Sequence, residues 1–410
     1  MQVVYPDVLG PAEPAALFVQ LRALGAAIWA DWGRDRVVLA SLAPVPDLGP
    51  ATWRTRARAA VVAEAPPWSG GVCGWFGYEA GAWTERQPAP AAPSPLPPAW
   101  LGRAAAMATL RAGRWRVAGE AAAAQALCDT LARSSAVPPP PPGRARVVSV
   151  GSRRAYEHGV RRALAHIRAG DCYQINLART IEVEGVDDPL SVWRRLRSLN
   201  PARRGIYVET PAGAVVCNSP ELLLAVRGRR LVSVPIKGTA PVHDDPRALL
   251  HSPKERAELT MIVDLVRADL GRVARPGSVV AGPRRVGRVG HVWHAMRRVE
   301  AELAPGRDAV DAFAAVFPAG SVTGAPKVRA MEIIRELEPS PRGVYCGALG
   351  WFGSDGGAAW NVGIRTISVV GTRAWVQVGA GIVLGSDPAR EYAETVLKAT
   401  RLLAAVGVGP

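Results

Sequence analysis

Gly205-Ile-Tyr-Val-Glu-Thr-Pro-Ala-Gly-Ala-Val-Val-Cys-Asn-Ser-Pro-Glu-Leu-Leu-Leu-Ala-Val-Arg-Gly-Arg-Arg-Leu-Val-Ser-Val-Pro235 sets the architecture of this chain. Four aliphatic runs, 205–209, 214–218, 222–227 and 231–235, are separated by Gly- and Pro-bearing turns. Runs this short, with turns this tight, read as consecutive strands. Strands joined by such turns pair antiparallel.

The flanks add helices. Ser152 caps a helix whose apolar face is Tyr156, Val160, Leu164 and Ile167, ending near Gly170. A strand follows over 173–183, then a short helix over 192–199 that stops before Asn200-Pro201. Further helices are predicted over 253–273, 325–337 and 389–405, the second opened by Gly-Ala-Pro. Strands are predicted over 344–352, 360–369 and 375–383, and the Ala-rich run 120–131 reads as a packing helix. The fold class is therefore α+β, with large antiparallel sheets flanked by helices.

The chain has 410 residues, 49% hydrophobic and 21% charged, enough apolar material for a large core and too much for a disordered chain. No apolar run reaches about 18 residues, so no membrane span is expected. The start, MQVVYPDVLG, lacks the basic region and apolar stretch of a secretory signal. Five cysteines stand singly, which argues against a zinc site or disulfide framework and for a cytoplasmic protein.

The net charge of +15 invites a nucleic-acid reading. The arginines are spread along the chain without a basic block, so a biased composition explains the charge better. Only four of the 50 basic residues are lysine: Lys237, Lys254, Lys327 and Lys398. Arginine stays protonated, whereas lysine serves as an amine nucleophile.

Two proline-rich stretches, 87–98 and 138–142, punctuate the first third. They place a boundary between an N-terminal region, residues 1–143, and a catalytic region, residues 144–410. Five consecutive prolines form a stiff extended connector.

The chemistry sits in the second region. Glu255 and Glu258 share one face of a predicted helix, and Glu391 and Glu394 share a face of the last one. Two such faces meeting would offer oxygen ligands to Mg2+. The same spacing also serves an ordinary Glu394–Lys398 pair. Glu221, at a strand-to-strand corner, is either a general acid or a solvated turn residue. Lys237, followed by Gly238 and Thr239, is either a nucleophile or an exposed turn lysine. The 317–327 loop leads into a helix and could hold an anion there, although it lacks the P-loop order. Arg365 could fork onto a carboxylate, and Gly379, Ala380 and Gly381 could present backbone donors to the same ligand.

Taken together these segments resemble the chorismate-utilising enzymes, and within them component I of the aminodeoxychorismate synthases. The matching stretches are Ala169-Gly-Asp-Cys-Tyr-Gln-Ile-Asn-Leu-Ala178, Ser219-Pro-Glu221, Pro235-Ile-Lys-Gly-Thr239, Arg256-Ala-Glu258 with Met261-Ile-Val-Asp-Leu265, the 317–327 loop, Ile364-Arg-Thr366, Gly379-Ala-Gly-Ile-Val383 and Glu391-Tyr-Ala-Glu-Thr395. They span about residues 151–403. Before that the match is faint, chiefly around Gly74-Trp-Phe-Gly-Tyr78-Glu79.

The resemblance implies one body of two facing antiparallel sheets with helices outside, in which the proline connector is an insertion. It implies Mg2+ held by Glu258 and Glu394, with Glu255 and Glu391 supporting through water. It implies Lys237 as a covalent nucleophile, Glu221 for proton transfer and His294 as an active-site histidine. Gly238, Thr239, Thr323, Tyr345, Arg365, Gly379, Ala380, Gly381 and Lys398 match substrate-contacting positions. Members that add water carry a lysine where this chain has Gln174, which points to ammonia. Anthranilate synthases carry alanine where this chain has Lys237. No glutaminase segment is visible, so a separate glutamine amidotransferase subunit is expected to supply the ammonia. Ala268, Ala359 and Ala319 depart from the family's usual Asn, Asp and Gly. The tryptophan effector motif of relatives is not evident around 31–41, so no tryptophan feedback is expected. Anthranilate synthase component I is the alternative enzyme, and a basic nucleic-acid-binding protein the alternative outside enzymes.

Overall fold

The computed structural model describes residues 2–10, 13–32, 36–59, 61, 70–85, 93–289 and 292–409, apart from the side chains of Thr239 and Lys254. The four strands of the opening stretch are present as Gly205–Thr210, Gly213–Asn218, Leu222–Arg227 and Arg230–Val234. They do not lie in one sheet. The first two pair with each other and so do the last two, but the chain changes sheet at Ser219-Pro220-Glu221.

The first sheet runs, in spatial order, Gln2–Val8, Arg114–Glu120, Ala106–Arg111, Arg36–Pro44, Ala26–Asp31, Gly205–Thr210, Gly213–Asn218, Thr366–Val370, Arg373–Ile382 and Gln174–Glu184. Arg146–Ser149 and Gly324–Ala325 both pair with that last strand. The second sheet runs Ala99–Ala104, Gly71–Phe76, Ala348–Gly353, Ala358–Val362, Leu222–Arg227, Arg230–Val234 and Val292–Glu302. Ile236–Pro241 and Val280–Val289 also pair with Val292–Glu302. Every pairing is antiparallel, and the end of Arg36–Pro44 joins the two sheets. Ile28, Val38, Trp75, Val208, Val215 and Leu349 pack between them. Helices Pro14–Arg22, Ala121–Arg133, Pro189–Leu199 and Pro388–Val406 cover the first sheet's outer face. The α+β expectation holds.

Several boundaries differ from the sequence reading, each for a local reason. The strand expected over 360–369 is two strands, Ala358–Val362 and Thr366–Val370, one in each sheet. The break falls at Gly363-Ile364-Arg365, where Arg365 takes φ +52°. The strand expected over 344–352 starts only at Ala348, because Cys346 turns at φ +62°. The helix expected over 325–337 starts at Lys327, since Gly324 and Ala325 pair with Ile175 and Gln174 instead. The helix expected over 192–199 starts earlier, at Pro189, a residue suited to the first helical turn. The Val280–Val289 and Val292–Glu302 hairpin went unread because arginines hide its apolar alternation.

The N-terminal region does not fold apart. Its strand Gly71–Phe76 lies between Ala99–Ala104 and Ala348–Gly353, and Ala26–Asp31 pairs with Gly205–Thr210. The second proline-rich stretch is strapped to helix Pro189–Leu199: Arg194 Nη1 donates to Pro138 O at 2.5 Å and Arg195 Nη1 to Pro141 O at 2.8 Å. A proline run makes no internal hydrogen bonds, so these guanidinium groups replace water on its carbonyls. Of the first proline-rich stretch, residues 87–92 lie outside the described residues. Among the described residues no helix is long and apolar enough to cross a membrane.

Candidate active site

Both sheet crossings end at one place. Strand Gly213–Asn218 pairs with Thr366–Val370, and Leu222–Arg227 with Ala358–Val362, so the two crossings run side by side. They are tied by Asn218 N to Arg365 O at 3.1 Å and Val362 N to Glu221 O at 3.1 Å. Glu221 and Arg365 are therefore fixed by the sheets themselves rather than by mobile loops.

Glu221 is 4% exposed. Burial pushes its carboxyl up to about 7, against the opposing pull of Ser321, Lys237 and the Ile236 backbone. A carboxyl that keeps part of its population protonated near neutral pH is suited to donate a proton. The solvated-turn alternative for Glu221 is thereby excluded.

Lys237 lies in strand Ile236–Pro241, at a register shift against Val292–Glu302. A bulge of this kind re-aims a side chain. Gly238 makes it possible with φ +75°, and a Cβ there would collide with the Glu255 carboxylate. Lys237 Nζ donates to Ser321 O at 3.3 Å. It also lies 3.2 Å from the position a Cβ on Gly381 would occupy. Burial lowers its pKa, although Glu258, Glu221 and Glu394 favour the ammonium; Lys398 reinforces the burial. A lysine moved this way is a better amine nucleophile.

Gln174 stands on the same side of Gly381, its amide 3.5 Å from that Cβ position. It is fully buried, and neither its amide nitrogen nor its oxygen has a partner among the described residues. A buried orphan amide is costly, so a polar ligand beside Lys237 would satisfy it.

His294 is 5% exposed and spans two site residues. Its Nδ1 is 3.2 Å from Gly238 O and its Nε2 is 3.3 Å from Arg365 Nη2. The carbonyl only accepts and the guanidinium only donates, so Nδ1 carries the proton and Nε2 accepts. Burial and the neighbouring Arg365 push the imidazole down to about 4, so it is neutral at neutral pH. It positions Arg365 rather than carrying charge. Arg365 Nη1 also donates to Asn200 Oδ1 at 3.2 Å. Among the described residues no carboxylate pairs with Arg365, and burial lowers its pKa to about 10. A guanidinium held by two neutral acceptors is suited to bind an incoming carboxylate. The sequence reading missed Asn200, noticing Asn200-Pro201 only as a helix stop.

Lys398 Nζ donates to Gly379 O at 2.8 Å and pairs with Glu394 Oε1 at 2.6 Å. The ordinary i,i+4 pair left open above therefore exists, and it places Lys398 on the Gly379-Ala380-Gly381 strand. Tyr345 Oη lies 3.0 Å from the position of a Cβ on Gly379. The Thr323 hydroxyl turns back onto Ala319 O at 2.9 Å, within its own short helix Gly320–Thr323. The Thr239 side chain lies outside the described residues.

The four glutamates approach from two helices, Pro253–Gly271 and Pro388–Val406. Among the described residues no three or more His, Cys, Asp or Glu side chains converge to hold a metal. Mg2+ asks for only one or two carboxylates with water and substrate oxygens. Glu258 and Glu394, both close enough to Lys237 to favour its ammonium, supply such a pair. The donor set fits.

A larger cleft of about 1280 Å3, lined by Trp29, Asp31, Arg194, Arg197 and Pro139, holds none of these residues. The chemistry is thus located by convergent side chains and not by volume.

Residues 39–404 match the family described as chorismate binding enzyme. The chain belongs to the chorismate-utilising enzymes. It is 39% identical over 400 residues to anthranilate synthase component 1 of Streptomyces coelicolor, covering 89% of this chain and 75% of that one. It is 43% identical over 252 residues to aminodeoxychorismate synthase component 1 of Bacillus subtilis, covering 60% and 54%. It is 45% identical over 272 residues to anthranilate synthase component 1 of Thermus thermophilus, covering 64% and 59%. The chain therefore spans little more than half the length of the last two relatives. Anthranilate synthase component I of Streptococcus pneumoniae superposes with TM-score 0.77 at 28% identity, covering 92% of each chain. The menaquinone-specific isochorismate synthase MenF of Escherichia coli shares the fold, with TM-score 0.79 at 19% identity, covering 99% of this chain and 94% of that one. In this family of enzymes acting on chorismate, the nucleic-acid alternative has no further support.

Proposed function

We propose that the chain is component I of an aminodeoxychorismate synthase. It converts chorismate and ammonia to 4-amino-4-deoxychorismate and water, with the ammonia supplied by a glutamine amidotransferase subunit. The observation that carries this reading is Lys237: a buried amine with a lowered pKa, near the buried Glu221 carboxyl, beside a Gln174 amide without a partner among the described residues.

Arg365, oriented by His294 and Asn200, binds a substrate carboxylate. Lys237 Nζ forms a bond to ring C2 while the C4 hydroxyl leaves, taking the Glu221 proton to depart as water. Ammonia then bonds to C4 as the C2–Nζ bond to lysine breaks, and the new amine's surplus proton leaves to solvent. Glu258 and Glu394 would hold Mg2+, with Glu255 and Glu391 behind them, and the ion would supply positive charge to offset the substrate's negative charge.

A second reading is anthranilate synthase component I, favoured by the 39% identity over 89% of the chain to a relative of that name. It would release pyruvate. Purified protein, chorismate, Mg2+ and an ammonium salt at mildly alkaline pH separate the two by mass-detected chromatography. We expect an aminated chorismate that keeps its pyruvyl group, and at least a hundredfold loss in Lys237→Ala. Anthranilate with pyruvate would refute the first reading.

A further inference from the structure

Lys327 is one of the four lysines, and the chemistry above leaves it unused. It is 6% exposed, and its Nζ donates to Asp269 Oδ2 at 2.6 Å; Asp269 is 7% exposed. A buried ion pair is a weak contributor to stability, which leaves room for a second role. Behind Glu221 lies a cavity with about 10 Å3 open to a water's centre, room for one water. Its polar walls are Glu221, Ser233, Asp269 and Ser321, and the rest is apolar or backbone. The buried Ser321 hydroxyl faces the Glu221 carboxyl across this space. A space of this size, walled by two hydroxyls and two carboxyl-bearing residues, is where an ordered water belongs.

We propose that one water occupies this cavity, bridges Glu221 to Asp269, and is the path by which Glu221 regains its proton after each turnover. The inference rests on Glu221 being the proton donor of the proposed reaction. At the front, the Glu221 O–H bond breaks as the hydroxyl leaves as water. At the back, the cavity water gives one proton to the Glu221 carboxylate and takes one from the Asp269–Lys327 pair. That pair is refilled by solvent water at its outer edge, where Arg272, protonated throughout, only holds the carboxylates in place: its Nη2 is 3.6 Å from Asp269 Oδ1 and 2.8 Å from Glu85 Oε1. The Arg272 side chain is 44% exposed, so the route reaches the surface. Only O–H and N–H bonds change, and each link ends as it began. The groups facing Glu221 are Lys237, the Ser321 hydroxyl and the Ile236 backbone; those facing Asp269 are Lys327, Arg272 and Glu85.

Asp269→Asn keeps the side chain's shape and removes its ability to relay. We expect kcat to fall about tenfold or more, with KM for chorismate unchanged within about twofold and a larger solvent deuterium isotope effect. In the same assay Glu221→Gln should be inactive. Wild-type kcat in Asp269→Asn beside an inactive Glu221→Gln would overturn the relay alone. Full turnover in Glu221→Gln would overturn both the relay and the reading beneath it. Because Asp269→Asn leaves Lys327 unpaired, the double variant Asp269→Asn/Lys327→Met checks for misfolding and should show the same kcat loss. Independently, a crystal structure of the unmodified protein should show a water within hydrogen-bond reach of both carboxyl groups; a dry cavity would overturn the proposal.

Discussion

His294 is neutral because two neighbours define its tautomer and burial opposes its charge. Its pKa in the unfolded chain is about 6.5, and in the fold about 4. Between these values the unfolded chain binds more protons, so stability is lost as pH falls through that window. His294→Gln should therefore flatten the fall in denaturation midpoint between pH 6.5 and pH 4, read as a difference from wild type. An unchanged slope would show that the imidazole titrates freely. Glu221 acts in the opposite direction: its raised pKa gives a contribution fully present below pH 4.5 and lost as pH rises through about 7. At the same scale, Arg365→Lys keeps the charge but loses the fork. We expect KM for chorismate to rise about tenfold or more with a smaller change in kcat.

Elements explain which of these residues could be read from the sequence. Lys237, Glu221 and the two glutamate pairs are each ambiguous by residue type and spacing alone; the resemblance of the whole ordered set of segments singles them out. Asn200 was not legible, because its partner Arg365 is distant in sequence and meets it only once the chain has crossed between sheets. The break at Arg365 was hidden for a related reason: Trp360 to Val369 is a continuous β-prone run, and neither periodicity nor propensity encodes a change of sheet. The turn at Cys346 was equally silent, since φ +62° at a non-glycine residue is imposed by surroundings. At Gly238 the left-handed φ of +75° and the Glu255 carboxylate against a would-be Cβ explain why glycine stands beside Lys237. Gly238→Ala should lower stability by about 1–2 kcal/mol from backbone strain and lower kcat by more than that loss explains. A denaturant midpoint and a steady-state assay on the same sample would show whether both effects occur.

At the scale of the whole molecule, the boundary expected near residue 143 separates stretches of sequence whose strands alternate within shared sheets. Residues 144–410 expressed alone should fail to form a folded, cooperative unit, because Ala348–Gly353 and Gly205–Thr210 would each lose a neighbouring strand. A sharp thermal transition from that fragment would count against this.

The same interleaving sets a timetable for synthesis. Gly71–Phe76 leaves the ribosome early, yet one of its two neighbours, Ala348–Gly353, is made hundreds of residues later. At about 5–20 residues per second, that strand spends on the order of tens of seconds with an open edge. Its large apolar side chains, Val72 and Phe76 on one face and Trp75 on the other, are all buried at the end. The newborn chain should thus be a client for holding chaperones, and the yield of active enzyme should depend on how quickly translation reaches the second half.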